Sequence, residues 1–124
     1  MTLLSTKPRP KRGEVWLVNF DPTLGSEIRK TRPAIVMSSD AVGKLPIKLV
    51  APVTDWKPYF EKNLWHVRLE PTELNGLSKV SAVDALQLRS VDTGRFIRCL
   101  GCLPRQIMTE VEIAIVTIIE ADIQ

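Results

Sequence analysis

The sequence predicts a small α+β domain, mainly β, in which about six short strands are followed by one C-terminal helix. Three observations carry this reading. The chain has 124 residues, 44% hydrophobic and 25% charged, which is enough apolar material for one core and too even a balance for a disordered chain. Its apolar segments are of strand length and are punctuated by Pro, Gly, Asp and Asn. Only beyond Pro104 does the apolar period lengthen to that of a helix.

Gly13–Phe20 is rich in Val, Trp and Phe and stops at Asp21-Pro22, which reads as strand followed by loop. Pro33–Met37 is a second, continuous apolar strand. Ile47–Val53 is a third, with Pro52 suggesting an edge or a bulge. Leu64–Leu69 alternates, with Leu64, His66 and Arg68 on one face and Trp65, Val67 and Leu69 on the other. Pro71–Gly76 is a turn cluster. Val83–Val91 and Arg95–Leu100 read as two strands of a hairpin around Asp92-Thr93-Gly94. Pro104 suits a first helical turn, and Ile107, Met108, Val111, Ala114, Ile115, Ile118 and Ile119 follow at helical spacing. Ile113 and Val116 widen that stripe beyond one face, which predicts burial on more than one side and a second copy of the chain as a partner. Periodicity leaves SH3-like and OB-like closure open.

Composition narrows the function classes. No apolar run approaches the roughly 20 residues of a membrane span, and no signal-peptide pattern follows Lys7, Arg9, Lys11 and Arg12. Two cysteines without an export signal predict free thiols in the cytoplasm. The net charge of +3 is concentrated: residues 1–12 carry four cations and no anion, while the rest carry 13 cations and 14 anions. Nucleic acid would therefore be bound at a focused site and not by a basic coat. Residues 1–11 read as a flexible basic tail and residues 12–124 as a single domain.

Few residues offer chemistry. The loop Gly25–Pro33 holds Glu27, Arg29, Lys30 and Arg32, which resembles a phosphate site with an acid–base group beside it, although on charge alone it reads as a solvated connector. Thr54, at the end of its strand, can project a hydroxyl or serve a turn. His66, the only histidine, has no nucleophile grouped with it and reads as structural. Cys99-x-x-Cys102 lacks both the four ligands of a zinc site and the strand-to-helix setting of a redox pair, so it reads as two buried thiols. Trp16 and Trp65 read as core. Trp56-Lys57-Pro58-Tyr59-Phe60 either stacks unpaired bases or packs over the barrel mouth. There is no glycine-rich phosphate cradle, no metal-ligand cluster and no carboxylate pair at catalytic spacing, so neither cofactor nor metal is expected.

The blocks Arg12–Thr23 (RGEVWLVNFDPT), Gly25–Glu27 (GSE) and Thr31–Val36 (TRPAIV) resemble the MazF/PemK family of toxin endoribonucleases. The similarity continues through Ala51–Thr54, Leu77–Ala82, Gln87–Asp92 and Arg95-Phe96. The chain departs from the family in placing Ile28, Arg29 and Lys30 before the T-R-P block. It also has Leu86 where some members carry an acidic residue, with Asp84 nearby.

The resemblance implies a PemK/CcdB-like, SH3-type barrel that forms a homodimer, belongs to a type II toxin–antitoxin system and cleaves single-stranded RNA without a metal. The RNA's 2′-hydroxyl would be the nucleophile, leaving a 2′,3′-cyclic phosphate and a 5′-hydroxyl. Matched motif by motif, it implies Arg32, Thr54 and Glu27 as catalytic residues. An arginine is too basic to act as a base, so Arg32 would stabilise phosphate charge, Thr54 would hold a phosphate oxygen and Glu27 would accept a proton. Ser26, Arg29, Lys30 and Thr31 would bind RNA, together with Trp56, Gln87 and Arg89. The implied protein partner is a MazE-like antitoxin with an acidic, disordered tail. Two alternatives share the barrel: a CcdB-like gyrase poison and a non-catalytic RNA-binding relative.

Overall fold

The computed structural model describes residues 8–122. Among the described residues seven strands precede one helix: β1 (Glu14–Asn19), β2 (Thr31–Val36), β3 (Ile47–Asp55), β4 (His66–Leu69), β5 (Ser81–Asp84), β6 (Arg89–Asp92), β7 (Phe96–Cys102) and α1 (Arg105–Ile118). All pairings are antiparallel, in the order β4-β5-β3-β2-β1-β7, with β6 on β3. Among the described residues β4 and β7 end the path without pairing to each other, so the barrel is open.

The continuous apolar runs have a cause, because the central strands are covered on both faces. Val15, Ile35, Ala51, Val53 and Val83 meet Met108, Val111 and Ala114 of α1 in one cluster. Their neighbours along the same strands, Val18, Ala34, Val36 and Val50, join Phe20, Val91 and Phe96 in the other. Arg12 ties the helix down: its guanidinium donates to the Met37 carbonyl and the Glu112 carboxylate, and its backbone N–H reaches Asp40 at 2.8 Å.

Four expectations change. The seventh strand exists because Val83–Val91 is interrupted: the Asp84 carboxylate accepts from the Leu86 and Gln87 N–H groups and winds residues Ala85–Gln87 into a 3-10 turn. The turn at Asp92–Gly94 is not a hairpin, because β6 pairs with β3 and β7 with β1. It is a second 3-10 turn, in which Asp92 accepts from Gly94 N–H at 2.7 Å. Pro52 is neither at an edge nor in a bulge; it pairs with Ala34 and is fully buried. On the other side of β3 the ladder to β6 ends at Val50 and the ladder to β5 begins at Val53, so Pro52 falls in a gap where its missing N–H costs little. The cysteines are free but not buried: Cys99 is exposed and Cys102 half-buried, because β7 is an end strand.

The expected tail is described only in part. Residues 1–7 lie outside the described residues. Pro10 is buried, and Lys11 is held by Glu14, whose carboxylate accepts from Lys11 N–H at 2.7 Å. The turn cluster before β5 is organised by the buried side chain of Asn75, which bonds the backbones of Glu70, Thr72 and Leu77. It lies hard against β7. Gly76 has φ +67°, and a Cβ there would stand 2.0 Å from the Leu100 carbonyl oxygen. A Cβ on Gly101 would stand 2.1 Å from that of Leu74.

Candidate active site

β2 and β3 separate beyond Ala34 and Pro52, where β3 leaves its partner to pair with β5. The next same-face residues along that register are Arg32 and Thr54, so the two stand where the ladder opens. A recess of about 390 Å³ forms there, between the end of β2, the end of β3 and the segment 76–81. Arg32 and Thr54 line it with Thr31, Asp55, Lys79 and Arg98. The Arg32 Nε donates to the Arg29 carbonyl at 3.1 Å. Asp55 is paired with Lys79 at 3.1 Å, so two cations, Arg32 and Arg98, keep their charge for a ligand in this recess.

A second recess, of about 530 Å³, is lined by Ser26, Glu27, Ile28, Pro52, Gln87 and Arg89, among others. Pro52, two residues before Thr54 on β3, contributes to this second recess and not to the first. The structure thus brings Arg32, Thr54 and Thr31 together and places Ser26, Glu27, Gln87 and Arg89 in the second recess. Glu27 accepts from Leu24 N–H at 2.6 Å, inside its own loop. Gln87 bonds the loop backbone at Ile28 and Ser26. The Arg89 guanidinium sits 5.7 Å from the centre of the Phe20 ring.

The connecting loop is fixed at both ends. Phe20 N–H donates to the Lys30 carbonyl at 3.0 Å, and Lys30 N–H to Asp21 at 2.9 Å. These bonds hold Lys30 at φ +68°, in the left-handed region that disfavours residues with a Cβ. Arg29 and Lys30 are exposed.

The aromatic segment after Thr54 divides between the two readings. Phe60 is buried and stacked on His66 at 3.7 Å, whereas Tyr59 is exposed. Trp56 is half-buried, with the Arg68 guanidinium 5.3 Å from its ring centre. Trp16 and Trp65 are also half-buried, each packed along the rim of a core cluster.

His66 is packed away from both recesses. Its Nδ1 takes a bond from the Asn63 amide at 3.1 Å, and its Nε2 faces the buried Asp84 at 3.6 Å. Burial holds its pKa below the ordinary value, with Asp84 opposing in part. Partial desolvation pushes the Cys99 thiol up, the opposite of a reactive thiolate. Among the described residues no three His, Cys, Asp or Glu side chains gather as a possible metal site, and no helix is long and apolar enough to cross a membrane.

Sequence reasoning missed Arg98 and Lys79. Both reach the recess only through tertiary packing, Arg98 because β7 pairs with β1 opposite Leu17, and Lys79 because the Asn75–Gly76 turn folds against β7.

The fold and site together are those of a small, open barrel-like sheet with Arg32 and Arg98 lining a recess where two strands part. Residues 11–119 match the family described as PemK-like, MazF-like toxin of type II toxin-antitoxin system, and the chain belongs to that family. It is 36% identical over 99 residues to Endoribonuclease MazF9 of Mycobacterium tuberculosis, a match spanning 73% of this chain and 80% of that protein. It is 34% identical over 113 residues to Endoribonuclease PemK of Escherichia coli, spanning 88% and 81%. The crystal structure of MazF from Deinococcus radiodurans superposes with a TM-score of 0.76 at 28% identity, over 90% of this chain and 97% of that one. A MazE–MazF crystal structure from the same organism gives 0.70 at 27%, over 91% and 98%.

Proposed function

We propose that this toxin is a metal-independent endoribonuclease that cleaves single-stranded RNA by intramolecular transfer. The 2′-hydroxyl attacks the adjacent phosphorus and the bond to O5′ breaks, giving a 2′,3′-cyclic phosphate and a 5′-hydroxyl. The observation that supports this best is the placing of Arg32 beside Thr54 at the mouth of a recess that also holds Arg98. The nucleophile belongs to the substrate, so the protein's task is to orient the phosphate and stabilise the charge that builds on it.

Arg32 grips the non-bridging oxygens, Thr54 donates a hydroxyl to one of them, and Arg98 draws in the neighbouring backbone. Glu27 accepts the 2′-hydroxyl proton, which requires its carboxylate to release Leu24 N–H and turn from its own recess towards Arg32. Water protonates the leaving O5′. Ser26, Thr31 and Arg89 border the path of the strand, with Arg29 and Lys30 as exposed cations and Trp56 available for stacking.

The partners we infer are a second copy of the chain and a MazE-like antitoxin, as in the MazE–MazF structure above. Ile113 and Ile119, 57% and 65% exposed near the end of α1, offer apolar surface for the first. An acidic, disordered antitoxin tail suits the exposed Arg29 and Lys30. The cytoplasm is the setting in which free thiols, RNA and such a partner coincide. Membership of the PemK/MazF family favours cleavage over the gyrase-poisoning alternative.

The test is incubation of purified protein with a long single-stranded RNA, followed by end-group analysis. Fragments with 5′-hydroxyl ends are expected. Intact RNA, or fragments with 5′-phosphate ends, would refute the proposal.

A further inference from the structure

We propose that Gln87 is a positioning residue for Arg32, acting through the loop of residues 25–30 and not on the RNA. The role rests on the ribonuclease reading above. The Gln87 Oε1 accepts from Ile28 N–H at 2.5 Å, and its Nε2 donates to the Ser26 carbonyl at 3.3 Å. Both ends of one side-chain amide therefore hold the backbone of a loop far away in sequence. The next residue, Arg29, presents the carbonyl that takes the Arg32 Nε–H. With Nε engaged, the guanidinium plane is fixed and its two terminal nitrogens remain for phosphate.

Gln87 is itself anchored. Asp84 Oδ1 accepts from Gln87 N–H at 3.3 Å, and Asp84 Oδ2 lies 3.6 Å from the His66 Nε2. The His66 ring is clamped between the Asn63 amide and the face of Phe60. A locked support of this kind holds a reacting group to within the small displacement that catalysis tolerates. Asp84 and His66, which have no place in the chemistry, thereby acquire a reason to be buried together.

Gln87→Leu and Gln87→Glu, made in the full chain, test this. In RNA-free protein, NMR reads the exchange rate of the Ile28 amide and the Arg32 Nε–H signal. Gln87→Leu should accelerate Ile28 exchange about tenfold or more and broaden the Arg32 signal. With a single-stranded RNA oligonucleotide, kcat should fall about tenfold while KM stays within about twofold. Gln87→Glu keeps the acceptor for Ile28 N–H and should recover kcat to within about threefold of the parent. In an Arg32→Ala background Gln87→Leu should add less than about twofold.

Unchanged Ile28 exchange would overturn the proposal. So would a loss confined to KM, or full additivity with Arg32→Ala. If the unsubstituted protein fails to cleave RNA, the ribonuclease reading fails, and the two NMR signals still decide whether Gln87 positions Arg32.

Discussion

Substituting Gly76 by alanine should destabilise the fold more than any other glycine-to-alanine change near the site. Three glycines separate the contributions. Gly25 has φ +58° and nothing within 4 Å of its virtual Cβ, so Gly25→Ala incurs only the backbone cost of about 1 kcal/mol. Gly101 has no positive φ, but its Cβ would stand 2.1 Å from the Leu74 carbonyl oxygen. Relieving that contact means moving main chain by more than an ångström, a cost of about 2 kcal/mol. Gly76 combines both, with φ +67° and a contact of 2.0 Å to the Leu100 carbonyl, so Gly76→Ala should cost about 3 kcal/mol or more. Urea unfolding followed by tryptophan fluorescence, at one fixed protein concentration because the stability of the proposed dimer would depend on it, ranks the three. Failure of Gly76→Ala to fold counts with the largest loss. A Gly76→Ala variant no less stable than Gly25→Ala would refute the close approach of this turn to β7.

Arg32→Ala should lower the cleavage rate about a hundredfold or more, the scale of losing one preorganised charge stabiliser. Thr54→Ala should lower it about tenfold, since a hydroxyl gives one hydrogen bond to a charged oxygen; single-turnover rates on a short RNA check both. Burial lowers the pKa of His66, so the fold favours neutral imidazole. That stability is fully present above about pH 6.5, the ordinary value, and is lost as pH falls below it. His66→Gln should remove this acid-side decline, seen by comparing urea midpoints at about pH 7.5 and about pH 5. The Cys99→Ala, Cys102→Val double variant should keep its cleavage rate, and elemental analysis of the parent should find no stoichiometric zinc.

The strands and the helix were legible because burial on both faces leaves continuous apolar runs, and because the period lengthens after Pro104. What escaped had causes outside the local sequence. Asp84 does two things at once: it pairs with His66 as the last residue of β5 and its carboxylate caps the turn that follows, a double role that no local pattern signals. Pro52 looks like an edge residue until β3 is seen to exchange β6 for β5 on one side. Arg32 and Thr54 were found through motif resemblance, and the β2–β3 register supplies the physical reason they meet. Arg98 and Lys79 carried no local signal, since only the pairing of β7 with β1 and the turn at Gly76 bring them to the recess. Glu27 shares a loop with Arg29 and Lys30, yet side-chain direction in a loop has no period to read; its carboxylate turns back to Leu24 N–H, and the residue lines the second recess.

In the proposed reaction the substrate supplies the nucleophile while Arg32 and Thr54 stabilise the phosphate. One measurement tests it directly: cleavage in excess EDTA of an RNA oligonucleotide and of its twin carrying a single 2′-deoxy nucleotide immediately 5′ of the cut. The all-ribose strand should be cut at its usual rate, while the 2′-deoxy strand should bind with similar affinity and stay intact. Cleavage of the 2′-deoxy strand, or loss of all cleavage on adding EDTA, would contradict it.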